Sequence, residues 1–186
     1  DTKKYLYLLL MFLMSFTAAS LASKMNSDMF YIIPFNLLAL YLLAFFKRRM
    51  VYVVYIISLI PLLLFAQDGI ETFVIYMVSG AIGMLVFERF NKGWLQFVTA
   101  FIVFVTMVLI WVAFRLVEDP ETLRSYAVIA DMALSALLMV AAYPLIYLFE
   151  KIFRLVSTSK LVELSDTSNK LLRMLADKAP GTFQHS

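Results

Sequence analysis

The sequence predicts an all-α polytopic membrane protein: a bundle of six transmembrane helices with a C-terminal cytoplasmic amphipathic connector helix. Three observations predict it. Hydrophobic residues make up 63% of the 186 and charged residues 16%, against about half and about a quarter in soluble domains. Mean hydropathy is +0.87. Six apolar runs approach or exceed the ~20 residues with which a helix crosses a bilayer, every backbone amide being satisfied within the segment.

The first run, 5–23, follows "DTKK" with no small-residue cleavage site of a signal peptide. The second, 29–46, contains "YIIPFNLLAL". Pro34 removes a backbone bond and should kink it, and Asn36 is a polar side chain expected to hydrogen-bond between helices. The third, 50–66, carries Pro61, a second expected kink. The fourth and shortest, 72–87, includes "SGAIG" (Ser79, Gly80, Gly83), small residues that allow close helix approach without the GxxxG spacing. The fifth, 94–117, has Arg115 one turn from its end, placed to snorkel outward. The sixth, 126–149, carries Asp131 and, at Pro144, a third expected kink. The breaks are short, so neighbouring helices run antiparallel.

Charge sets the orientation. One side of the predicted topology holds Lys3, Lys4, Lys47, Arg48, Arg49, Arg89, Lys92, Lys151 and Arg154. The other holds Lys24 and Arg124, with Arg115 near a helix end, and the acids Asp28, Asp68, Glu71, Glu118, Asp119 and Glu121, taken as loop residues. The positive-inside rule then puts both termini in the cytoplasm. Tyr5, Tyr7, Phe30, Tyr31, Trp94, Tyr126 and Tyr147 lie near span ends, where amphipathic rings favour the headgroup level; packing inside the bundle is the alternative for each.

An ionisable group within a span is a functional candidate by default. Asp131 admits two readings, a hydrated carboxylate at the outer interface, which is preferred, or a group with ion or ligand work. A loose pairing of Asp131 with Arg115 between the last two spans finds no support in the spacing. No span holds paired carboxylates, a histidine cluster or a basic run, so proton relay and voltage sensing lack their usual residues. Cysteine is absent, which excludes disulfides, thiolate metal sites and a cysteine nucleophile. A net charge of +3 is too small to argue for nucleic acid.

Beyond the bundle (1–149) the pattern changes. Residues 150–178 place Leu171, Leu172, Met174 and Leu175 at helical spacing among Lys170, Arg173, Asp177 and Lys178, an amphipathic connector helix that Pro180-Gly181 ends. It would lie on the membrane surface or lead into a further domain. The stretch "LVELSDTSNKLLRMLADKAPGTFQHS" closely resembles the junction of the bacterial 7TM receptors with an intracellular HD hydrolase domain. The matching positions are Leu161, Glu163, Leu164, Ser165, Leu171, Leu172, Leu175, Ala179, Pro180, Gly181, Thr182, Phe183, His185 and Ser186. Gln184 departs, standing where many members have a second histidine.

The resemblance implies a longer parent protein in the bacterial inner membrane, with an N-terminal span, an extracytoplasmic domain, seven further spans of which this chain would supply the last six, and an HD hydrolase beginning at 179–186. It implies cyclic-di-AMP phosphodiesterase activity in the parent, with His185 the first ligand of a divalent metal pair, iron or manganese. The rest of the catalytic site would lie outside this chain, whose own partners would be lipid, the parent's other domains and, in the parent, a cyclic dinucleotide. Homo-oligomerisation is left open. Two other functions compete, a small transporter or channel and a structural membrane anchor.

Overall fold

The structure, a computed structural model, describes residues 2–90, 93–118, 126–157 and 160–161. In chain order the helices are α1 (Thr2–Met25), α2 (Met29–Ile32), α3 (Asn36–Phe45), α4 (Arg48–Ser58), α5 (Ile60–Phe65), α6 (Gly69–Phe87), α7 (Gln96–Glu118), α8 (Tyr126–Ala142) and α9 (Ile146–Phe153). Five stretches are long and apolar enough to cross a membrane, Thr2–Met25, Arg48–Phe65, Gly69–Phe87, Gln96–Glu118 and Tyr126–Phe153. Met29–Phe45 is a shorter apolar helix. The protein is thus a multi-pass helical membrane bundle, as its composition requires.

The three prolines within the crossings, Pro34, Pro61 and Pro144, all interrupt their helices. Ile33, before Pro34, is extended (φ −67°, ψ 122°), because the proline ring excludes the α region for its predecessor. The second crossing is therefore two helices, α2 and α3. The third bends at Leu59, between α4 and α5, with Pro61 in the first turn of α5. The sixth tightens into a 3₁₀ turn at Tyr143–Leu145 around Pro144, which has no N–H to give the preceding turn.

The crossings are not equivalent. The second and fourth lie inside: α3 and α6 pack on each other, α2 and α3 meet α1, α4 and α8, and α6 also meets α5 and α7. Seven of the ten α3 residues are buried, and half of the apolar window of α6 is buried. A helix apolar on all sides belongs in an interior. The others turn one face inward and leave Leu9, Leu64, Phe101, Leu109 and Leu137 exposed, as lipid-facing surface does.

Antiparallel succession gives the bundle two ends. The acidic end carries the turns at 26–28 and 66–68 and the last turn of α7. The basic end carries the turns at 46–47 and 88–90, the start of α1 and the end of α9. There Arg48 pairs with Glu88 at 3.0 Å, both half exposed. The sixth crossing runs past the predicted boundary at 149 to Phe153 and stops at Arg154, in the left-handed conformation (φ 53°). Most of the predicted connector (150–178), and all of 179–186 with His185, lie outside the described residues.

Candidate functional site

Three helix breaks free three sets of carbonyls in a medium without water, and each set is met by a hydroxyl from another helix. Pro34 leaves the Phe30 carbonyl without a donor; the Tyr76 hydroxyl of α6 bonds it at 2.7 Å and reaches the Ile33 carbonyl at 2.9 Å. At Pro61, the Leu62 N–H turns to Leu59, and the Ser58 carbonyl accepts from the Ser15 hydroxyl of α1. At Pro144, the Ile146 N–H turns to Tyr143 and Pro144, and the Ala142 carbonyl accepts from the Tyr41 hydroxyl of α3 at 2.7 Å. Membrane helices tolerate proline because side chains re-satisfy freed backbone groups in this way.

These latches join a buried polar spine. Asn36, 1% exposed, does hydrogen-bond between helices as its position predicts. Its Oδ1 accepts from the Ser79 hydroxyl at 3.1 Å and lies 3.3 Å from the Tyr55 hydroxyl, and its Nδ2 donates to Met107 Sδ at 3.5 Å. The Tyr55 hydroxyl gives its main bond to the Tyr76 carbonyl at 2.7 Å. Its ring lies where a Cβ on Gly80 would stand, 2.2 Å from the hydroxyl, so the "SGAIG" segment does supply close approach, of a tyrosine rather than a backbone. The Ser135 hydroxyl of α8 is fully buried without a partner within bonding geometry.

The spine ends in ions at the acidic end. Arg115 does not snorkel outward: its guanidinium turns into the bundle and pairs with Glu71, with Glu118 at 3.2 Å and Asp68 at 3.9 Å. The reason is Glu71, assigned to a loop by the sequence but placed in the first turn of α6, which starts at Gly69. Its side chain is 2% exposed, and a buried carboxylate needs a cation and hydrogen bonds. The Tyr31 hydroxyl of α2 supplies one at 2.9 Å. Arg115 makes no ion pair with Asp131, which stands half-buried on α8. Beside the cluster, a cleft of about 220 Å³ is lined by Asp28, Tyr31, Asp68, Thr72, Trp111 and Arg115, among others.

The aromatic belt divides. Tyr5, Trp94, Tyr126 and Tyr147 are exposed at helix ends, but Tyr7, Phe30 and Tyr31 are buried packing residues. Tyr7 donates to the Tyr41 carbonyl at 2.8 Å and its ring meets Phe45, Phe149 and Phe153. Sequence reasoning missed Glu71 and the latches Tyr7, Ser15, Tyr41 and Tyr76. One signal was available for Tyr41, Tyr55 and Tyr76: phenols well inside apolar runs have no headgroup to reach and must bond a carbonyl.

Chemically, the hydroxyl latches tie backbone to backbone across five crossings, and the Tyr31 hydroxyl donates to a Glu71 carboxylate that is already paired with Arg115. Among the described residues no three His, Asp or Glu side chains come together to hold a metal ion. A divalent pair therefore does not fit the described part, and His185 lies outside it.

The chain has relatives among known proteins. The family described as 7TM receptor with intracellular HD hydrolase matches residues 1–157. The chain is 30% identical over 135 residues to cyclic-di-AMP phosphodiesterase PgpH of Listeria monocytogenes serotype 1/2a (strain 10403S), covering 70% of this chain and 19% of that protein. It is 28% identical over 144 residues to cyclic-di-AMP phosphodiesterase PgpH of Bacillus subtilis (strain 168), covering 70% and 20%. The chain thus spans about a fifth of the length of these relatives. No solved structure matches it.

Proposed function

Because the chain belongs to the family of 7TM receptors with an intracellular HD hydrolase, we propose that it is the transmembrane regulatory portion of a membrane-bound phosphohydrolase acting on a cyclic dinucleotide. By its relatives' names the substrate is cyclic-di-AMP, opened to pApA. Residues 1–149 form the sensory bundle, 150–178 the connector and 179–186 the start of the HD domain. The basic end faces the cytoplasm of a bacterial inner membrane, and the acidic end faces out, toward the parent's extracytoplasmic domain.

One observation carries the regulatory half of this proposal. The ion cluster at the acidic end and the break in the last crossing belong to one hydrogen-bonded spine. Glu71 bonds Tyr31 on α2, Tyr76 holds α2 by Phe30 and Ile33, and α3 holds the sixth crossing by Tyr41. A displacement of α2 or α6 at the acidic end has a packed route to the helix that leaves the membrane at the other. A transporter would use the Pro34 break to expose carbonyls and Asn36 to a cavity. Here those groups are bonded within the bundle, which favours coupling over transport.

When bound, the HD metal pair, iron or manganese, supplies a hydroxide nucleophile and polarises the phosphate. From this chain only His185 would contribute a ligand. The test uses the full-length parent in membrane vesicles. Hydrolysis of cyclic-di-AMP is expected, and His185→Ala should lower it by at least about a hundredfold, with the protein still membrane-inserted and recovered at the wild-type level. Wild-type vesicles without hydrolysis, or near-normal turnover by His185→Ala, would reject the assignment.

A further inference from the structure

The last membrane crossing is interrupted where it can least rely on backbone packing. Beyond the 3₁₀ turn at Tyr143–Leu145, α9 has few close backbone neighbours outside that turn, and Leu148 and Ile152 are exposed on it. Rings and one hydroxyl hold it instead. The Tyr41 hydroxyl bonds the Ala142 carbonyl at 2.7 Å. Phe149 meets Tyr41 at 5.1 Å and Tyr7 at 5.8 Å between centroids, and Phe153 meets Tyr7 at 5.5 Å, all edge to face. Tyr7 is itself fixed to α3 through the Tyr41 carbonyl.

The segment after α9 is tied back to it. α9 ends at Arg154 in the left-handed conformation (φ 53°), and the buried Glu150 carboxylate accepts the Ser157 N–H at 3.0 Å. The Ser157 carbonyl in turn accepts the Leu161 N–H at 3.0 Å. Residues 146–157 are thus tied together by hydrogen bonds, with the 3₁₀ turn at Tyr143–Leu145 on one side and the chain's onward segment on the other.

The geometry points to residues 143–157 as a hinged output arm, clasped by Tyr7 and Tyr41 in this structure and released when the Tyr41–Ala142 bond opens. This inference rests on the proposed regulatory role for its meaning but not for its test. The clasp is a two-position device because its bond is made to a carbonyl that only the Pro144 break leaves free. Healing the break would return an N–H to the Val140 carbonyl and remove the hinge. Tyr41 and Tyr7 sit on α3 and α1, so a shift of the inner α3 against the rest of the bundle is what opens the clasp. The arm then carries that shift to the chain beyond residue 157.

The experiment uses the full-length protein in lipid nanodiscs, with nitroxide labels on cysteines replacing Lys4 and Lys151, both exposed. Any cysteines elsewhere in the parent are removed. Distances between labels are read by pulsed electron–electron resonance. The wild type is expected to give one narrow distance. Tyr41→Phe keeps the rings and removes the hydroxyl, and should add a second, longer population; Pro144→Ala should shift the mean distance and, combined with Tyr41→Phe, abolish that second population. A Tyr41→Phe distribution that superimposes on the wild type overturns the proposal. If Tyr41→Phe does not accumulate, Pro144→Ala alone decides, and an unchanged distance overturns it.

Cyclic-di-AMP hydrolysis by the same samples separates the two ideas. Tyr41→Phe should change the basal rate by about fivefold or more, the lower range of allosteric coupling. If the arm moves while no sample hydrolyses the dinucleotide, the hinge stands and the functional proposal falls. If hydrolysis is robust and Tyr41→Phe alters neither distance nor rate, the hinge falls and the functional proposal stands.

Discussion

A phenol or carboxylate inside a bilayer has no water to fall back on, so each one marks a contact that must exist. Tyr76 reaches the Phe30 and Ile33 carbonyls with one hydroxyl, and Glu71 collects Arg115 and Tyr31 with one carboxylate. The Glu71–Arg115 pair gives a sharp expectation at this scale. Removing one partner of a buried pair leaves a stranded charge, whereas replacing both with apolar side chains is often neutral. Arg115 is 14% exposed and keeps Glu118 at 3.2 Å, so Glu71→Ala should cost about 2–3 kcal/mol, below the usual loss. Glu71→Ala combined with Arg115→Met should recover at least half of that. Denaturant unfolding in detergent micelles measures both, and a double variant less stable than Glu71→Ala alone would contradict the pairing.

Helices in this bundle are positioned by what their interruptions expose. Without Pro34, α2 and α3 would be one straight helix and the Phe30 carbonyl would bond residue 34, leaving Tyr76 nothing to hold. The same logic applies to Ser15 at the α4–α5 bend and Tyr41 at the 3₁₀ turn. Close approach between α4 and α6 depends on Gly80, where an added Cβ would fall 2.2 Å from the Tyr55 hydroxyl and 2.5 Å from its ring. At Gly83 a Cβ would meet only a Val103 methyl at 3.1 Å, a contact that a small shift relieves. Gly80→Ala is therefore expected to displace Tyr55 from Asn36 and the Tyr76 carbonyl and to cost about 1–3 kcal/mol, the range for overpacking a core. Gly83→Ala should cost under about 1 kcal/mol, helped by alanine's higher helix propensity. Equal losses in unfolding experiments would show that α6 does not seat Tyr55 in this way.

At the scale of the whole molecule, the distribution of charge between the two ends is the dominant feature. Lys47, Arg48 and Arg49 stand at one end, while Asp28, Asp68, Glu71 and Glu118 gather at the other. If positive charge selects the cytoplasm, the turn at 66–68 faces out and the turn at 46–47 faces in. This chain holds no cysteine, so once any cysteines elsewhere in the parent are removed, single introduced cysteines test it directly. A cysteine at Gln67 should react with a membrane-impermeant thiol reagent in intact bacteria, and one at Arg49 only after permeabilisation. Both positions are exposed, so access to reagent reports sidedness rather than burial. The opposite pattern would invert the proposed orientation, placing the end of α9 and everything after it outside the cell.

Much of this was legible in the residues alone. Apolar run length and composition determine a membrane bundle, because backbone amides in lipid can be satisfied only within helices or closed barrels. Pro34, Pro61 and Pro144 announce their breaks, since a missing N–H is a local fact, and Asn36 announces an interhelical bond, since an amide in lipid must find a partner. Charge along the chain also separates the two ends. Tertiary structure alone decided which crossings are inner, because all six are apolar and burial by protein and burial by lipid look alike in sequence. It decided that Glu71 belongs to α6 and turns Arg115 inward, a choice set by where a helix begins and by a neighbour 44 residues away. It also decided which hydroxyl meets which freed carbonyl: Tyr41 reaches Ala142 across 101 residues, a pairing that exists only once α3 and the last crossing lie side by side.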